Sequence, residues 1–84
     1  MAAGAPDFFI WTTSEELGNA VLTMRKSLGL SRAELAQRAG VGNRFLWDLE
    51  RGKGTVRSDK VMTVLLALGL MPLIVPVAAL EVLR

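Results

Sequence analysis

Apolar positions recur with a helical period over most of this chain. Leu17, Val21, Met24 and Leu28 stand three or four residues apart, so they line one face of a helix. Thr13 or Ser14 can cap its start, Glu15 and Glu16 occupy the first turn where the dipole favours anions, and Gly29 stands where the helix should end. Ser31-Arg32-Ala33-Glu34 has the S-x-x-E spacing of a capping box, in which serine and glutamate satisfy each other's backbone N–H groups. A second helix therefore starts at Ser31, presents Leu35, Ala36 and Ala39, and stops at Gly40. A third runs from Asn43 to about Arg51 with Leu46 and Leu49 inward, and Gly52-Lys53-Gly54 breaks it. Ser58 is the expected N-cap of a fourth, which carries Val61, Val64, Leu65 and Leu68 and ends at Gly69.

Both flanks change pattern. Phe8–Thr13 is aromatic and β-branched and reads as a short strand. Leu70–Val77 is extended in character but holds Pro72 and Pro76, which lack an N–H. The strand edge served by even-numbered residues therefore misses two donors, while the odd edge is complete. This segment is expected to pair on one side, through Met71, Leu73 and Val75, with its twofold mate as an antiparallel ribbon, and Ile74 joins that dimerisation set. Pairing of its free edge with Phe8–Thr13, or an irregular apolar tail covering the core, are the alternatives. Ala78–Leu83 can add a terminal turn. The expected division is an N-terminal arm over 1–13, a helical domain over 14–69, and a dimerisation strand and tail over 70–84.

Composition sharpens this picture. Hydrophobic residues make up 51% of only 84, more apolar surface than so small a monomer can bury, which argues for a partner subunit. Cys and His are both absent, which excludes disulfides, zinc fingers and the common nucleophile–base pairs. No catalytic constellation, cofactor site or small-molecule substrate is expected. Val61–Leu80 is uncharged, but Gly69, Pro72 and Pro76 interrupt it, and the N-terminus lacks a secretory pattern, so a cytoplasmic protein without a membrane span is expected. The charge is unevenly spread. Residues 25–60 hold nine Lys/Arg and four Asp/Glu, whereas the remainder holds one Arg and four acids. A basic middle on a nearly neutral chain is the footprint a phosphate-contacting face leaves.

Two short helices separated by a glycine turn, the second polar at its start, form a helix-turn-helix pattern. Each position has a physical demand. Ala36 must be small where the helices cross, Gly40 must turn the chain in the left-handed conformation, Val41 fills the angle, and Leu46 anchors the second helix so that its opposite face can enter a major groove.

The residues Leu-x-x-Ala-Val-x-x-x-Arg-Lys-x-x-Gly-Leu-Ser-Arg-x-Glu-Leu-Ala-x-x-Ala-Gly-Val-Gly, from Leu17 to Gly42, closely resemble the Cro-like XRE family. Glu50-Arg51-Gly52-Lys53 and Ala67-Leu68-Gly69 resemble it too. The resemblance implies a mainly α, lambda-repressor-like domain of four to five helices, with the C-terminal strand as an intersubunit ribbon. Within the family, Gly42–Glu50 and the apolar segment after the fourth helix look most like HipB-type antitoxins. That implies a homodimer on an inverted-repeat operator in double-stranded DNA, repressing its own operon and binding a HipA-like kinase toxin; a free-standing repressor is the alternative.

The resemblance also implies roles for single residues. Asn43, Arg44, Trp47 and Asp48 fall where the family reads base edges. Arg44 suits a guanine edge, Asn43 an adenine edge, and Asp48 either a cytosine amino group or a pairing with Arg44 or Arg51. Trp47 is atypical there, and either lies against a thymine methyl or sugar or folds back as core. Ser31, Arg32, Arg51, Lys53, Arg57 and Lys60 are the expected phosphate contacts. Arg25 and Glu50 match positions that form a buried salt bridge between the first and third helices.

Overall fold

The computed structural model describes residues 8–54 and 57–83. Within them the chain forms α1 (Ser14–Ser27), α2 (Arg32–Ala39), α3 (Asn43–Glu50), α4 (Ser58–Ala67), a 3-10 turn over Val77–Ala79 and a single-turn α5 (Leu80–Leu83). Capping explains where α1 and α2 start. The Thr13 hydroxyl accepts from the Glu16 N–H at 3.1 Å, and the Ser31 hydroxyl accepts from the Glu34 N–H at 3.0 Å. Each glutamate reaches back to its cap, which completes both boxes. Gly40, at φ +71°, ends α2 and turns the chain toward α3.

The inward faces of α1–α4 meet in one core. Leu17, Val21, Leu35, Ala36, Leu46, Leu49, Val61, Val64, Leu65 and Leu68 are all buried, and Val41 packs against them from the turn. Leu46 is wholly excluded from solvent, so its loss costs about 2–5 kcal/mol as transfer energy plus cavity. That residue sets the depth at which α3 sits, and so which α3 face remains outside.

Gly18 controls how closely α1 approaches α3. A Cβ there would overlap the Leu49 carbonyl oxygen and stand 2.9 Å from that of Glu50. Gly52, at φ +82°, makes a similar approach, its would-be Cβ 2.8 Å from the Glu15 Cα. The two glycines hold the end of α3 flush against the start of α1.

Three expectations need correction. Phe8–Thr13 contains no strand. Instead the N–H groups of Thr12 and Thr13 donate to Glu16 Oε1 at 2.8 and 3.1 Å, so the α1 cap takes the donors a ladder would need. Leu70–Pro76 forms no helix and is likewise not a strand, because no described residue of the chain pairs with it in a ladder. The β-ribbon is therefore not a feature of the described single chain, nor does this segment pair with Phe8–Thr13. Third, the N-cap of α4 is Arg57, and Ser58 is its first helical residue. Arg57 forks onto the Asp59 carboxylate at 3.1 and 2.7 Å in place of a side-chain cap.

The uncharged stretch Val61–Leu80 is divided between α4, the irregular segment after it, the 3-10 turn and the first residue of α5. No helix among the described residues is long and apolar enough to cross a membrane.

Candidate nucleic-acid interface

The starts of α2 and α3 converge on one open groove, lined by Arg32, Ala33, Asn43, Arg44 and Trp47. A second concavity, lined by Arg44, Asp48, Arg51, Gly52 and Lys53, meets the first at Arg44. Together they form a basic furrow along the outer face of α3. No side chain caps the N-terminus of α3, so its first N–H groups are open to an external acceptor. At α2 the capping box satisfies Glu34 but leaves the helix dipole facing the same groove.

Asn43 and Arg44 stand exposed at the start of α3, and the Arg44 side chain retains 78% of its accessible surface. Trp47 lies one turn further on. Its ring is not part of the core; the Arg44 guanidinium lies 4.9 Å from its centroid and that of Arg51 4.1 Å. Asp48 is largely covered and faces two cations, Arg44 Nε at 3.4 Å and Lys53 Nζ at 3.6 Å. It pairs with Lys53 rather than with Arg51, whose guanidinium sits on the indole.

Behind this face, Glu50 is almost wholly buried and bound by two arginines. Arg25 Nε donates to its Oε2 at 2.6 Å and Arg25 Nη2 to its Oε1 at 3.2 Å, while Arg25 Nη1 donates to the Leu30 carbonyl at 2.9 Å. Arg32 Nε donates to the same Oε1 at 3.1 Å. The carboxylate thus ties α1, α2 and α3 together at one point. Arg32 keeps its two terminal nitrogens for the groove but is no longer a freely swinging cation.

The other expected phosphate contacts are dispersed around this centre. Ser31 is exposed but its hydroxyl oxygen and N–H serve the α2 capping box. Lys53 is half exposed beside Asp48, and Lys60 Nζ lies 5.6 Å from the centroid of the Phe45 ring. Arg57 is paired with Asp59 and lines neither concavity, so it is the poorest fit to the group. That pairing also holds the Asp59 carboxyl below its ordinary range, chiefly through the Arg57 hydrogen bonds.

Sequence reasoning missed the Arg32–Glu50 contact, the Trp47–Arg51 stack and the Gly18 approach. Arg44, Trp47 and Arg51 are spaced i, i+3 and i+7, a spacing that does place them on one helix face. Gly18 carried no comparable signal, since only the neighbouring backbone reveals why it is small.

A short helix, a left-handed glycine turn and a second helix whose polar face borders a basic furrow define a helix-turn-helix domain of the DNA-binding kind. The particular grouping follows from comparison with known proteins. The chain belongs to the helix-turn-helix family, whose model matches residues 21–73. It is also similar to the uncharacterized HTH-type transcriptional regulator y4mF of Sinorhizobium fredii (strain NBRC 101917 / NGR234), with 47% identity over 57 residues, 68% of this chain and 75% of that relative.

Proposed function

We propose that this helix-turn-helix protein is a sequence-specific transcriptional repressor that binds an inverted-repeat operator as a homodimer. The observation that carries this reading is the basic furrow, where Arg32, Asn43, Arg44, Trp47, Arg51 and Lys53 border an α3 that is anchored from behind by Leu46 and Glu50. A helix held at fixed depth with its polar face outward is what major-groove reading requires. The relative's name, a transcriptional regulator, agrees with it.

Dimerisation is supported by the C-terminal segment. Met71, Leu73 and Ile74 expose 77, 79 and 99% of their surface, and Val77 81%. Among the described residues, the N–H groups of Met71, Leu73, Ile74 and Val75 make no backbone hydrogen bond. An apolar strip with open backbone donors is suited to pairing with its own copy, the odd edge facing the mate and the prolines blocking further growth. Two recognition helices related by a twofold would then address half-sites about one DNA turn, ~34 Å, apart.

The finer reading is that the protein is an antitoxin that represses its own operon and binds a HipA-like kinase toxin. It rests on the resemblance of Gly42–Glu50 and of the apolar segment after α4 to HipB-type antitoxins. Titration of the protein against duplexes from its own upstream region tests the DNA reading. Specific binding that falls steeply with added salt is expected, and its absence would refute that reading. Co-expression with a neighbouring kinase-like gene tests the second part. A stable complex is expected; operator binding with no such gene or complex would leave a free-standing repressor and reject the antitoxin role.

A further inference from the structure

We propose that Trp47 is the positioning residue of the reading face, holding Arg44 and Arg51 as a pre-ordered pair of guanidinium forks whose relative placement sets which DNA sequence is preferred. This rests on the DNA-binding reading above and goes further, since it assigns Trp47 a role other than touching a base or filling the core. Three observations support it. The indole lies within cation–π distance of both guanidiniums, one a turn before it on α3 and one a turn after. It is half-buried and does not belong to the apolar core, so core packing does not account for its size. And Asp48, one expected acceptor from a cytosine amino group, is already engaged by Arg44 and Lys53.

A guanidinium stacked on an aromatic face keeps its N–H donors, because they project in its own plane. Their placement over the indole therefore restrains the two arginines without a hydrogen bond that would consume what they need for DNA. Asp48 acts in the same sense on Arg44: its Oδ1 faces Nε, which leaves both terminal nitrogens for a bidentate guanine contact. Arg51, at the C-cap of α3, is assigned to a backbone phosphate at the other end of the furrow. Long cationic side chains lose rotamer freedom on binding, and a platform that orders them beforehand reduces that loss. The reduction applies only to a duplex that presents acceptors where the forks already point, so it raises preference more than general affinity.

The test uses the full chain and a duplex enriched by the wild-type protein from a random-sequence pool, compared with a scrambled duplex at one salt concentration. Trp47→Ala is expected to weaken binding to the enriched duplex by about 10- to 100-fold, from the ordering of two long side chains, and binding to the scrambled one by about twofold or less. Trp47→Phe should recover part of the difference. In an Arg44→Ala/Arg51→Ala background, Trp47→Ala should have little further effect, a coupling that a purely structural tryptophan would not produce. Thermal melting of each variant serves as the folding control. Equal losses on both duplexes, or an undiminished effect without the arginines, would overturn the proposal while leaving the DNA reading intact. Failure of the wild-type protein to enrich any sequence would overturn both.

Discussion

Removing the Glu50 carboxylate should be the most damaging single change near the furrow that leaves the apolar core untouched. In Glu50→Ala, Arg25 loses the acceptor of both its Nε and Nη2 groups and keeps only the Leu30 carbonyl. Its side chain is 9% exposed, so water cannot take the carboxylate's place without rearrangement. An unpaired buried charge of this kind costs about 3–5 kcal/mol. A domain of this size has roughly 4–13 kcal/mol in total, so the variant should lose a large part of its stability. Arg32→Ala is the internal control. That side chain is 39% exposed, and an ion pair so screened contributes about 1 kcal/mol or less. Arg25→Met with Glu50→Met removes both charges and should recover most of the loss, because the penalty comes from the orphaned ion and not from the missing attraction. Urea unfolding followed by far-UV circular dichroism, at one fixed protein concentration because association would shift the midpoint, gives all three values. If Glu50→Ala falls within about 1 kcal/mol of wild type, or the double variant is no better than the single, the pair is not the buried anchor described here.

Gly18→Ala sets two effects against each other. Helix propensity favours alanine by about 1 kcal/mol, whereas overpacking against the Leu49 and Glu50 carbonyls costs about 1–3 kcal/mol or more, and backbone cannot yield as a side chain would. Net destabilisation is expected in chemical denaturation, and a stabilised variant would contradict the close approach. Ile74→Asp changes a side chain that the single chain leaves fully exposed, so helical content should be unchanged while sedimentation equilibrium shows a weakening of the proposed dimer. An unaltered dimer would remove Ile74 from the interface. Asp48→Asn should release Lys53 and Arg44, raising affinity for scrambled duplex and steepening its salt dependence; no change in either would show that Asp48 does not restrain them. The pH response follows from the capping boxes. Glu34 is held below its ordinary value of 4.5, chiefly by the Ser31 N–H and then its hydroxyl, and Glu16 likewise by the N–H and then the hydroxyl of Thr12. A lowered folded value means the stabilisation is complete above pH 4.5 and fades as pH falls through the folded value. Melting temperature should drop over that acid range, and less so in Glu16→Gln/Glu34→Gln; an identical acid profile in that variant would refute it.

Features that depend on residues close in sequence were legible without coordinates. The S-x-x-E box at Ser31 involves one turn of chain, and the left-handed Gly40 is a local backbone requirement. Most core positions followed from their period for the same reason, but Leu28, expected on the same face as Leu17 and Val21, is the C-cap of α1 and is 46% exposed. Features that need a second segment were less so. A strand is defined by what it pairs with, and neither Phe8–Thr13 nor Leu70–Pro76 meets such a segment within the described chain. Arg32 reads as a solvent-facing cation until α3 brings Glu50 within 3.1 Å of it. Gly18 reads as an ordinary helical position until the end of α3 lies against it.

The acidic residues of the furrow bear on how a basic face can also be selective. Glu50 and Asp48 both lie among cations, but at different depths. Glu50 is 3% exposed and holds Arg25 where no ligand can reach, so its charge is committed to joining three helices. Asp48 is 15% exposed and holds Arg44 and Lys53 at 3.4 and 3.6 Å, longer and more solvated contacts that a phosphate or a guanine edge can replace. The first pairing therefore fixes the scaffold, and the second lowers the general attraction of the face for any polyanion. A duplex that merely offers charge must compete with Asp48, whereas one that offers acceptors in the right places can use the free nitrogens of Arg44 without displacing it. Under the proposed DNA-reading role, the acid on the outer face of α3 would raise the threshold for non-specific binding more than for the fitted sequence, and its position one residue after Trp47 puts both restraints on Arg44.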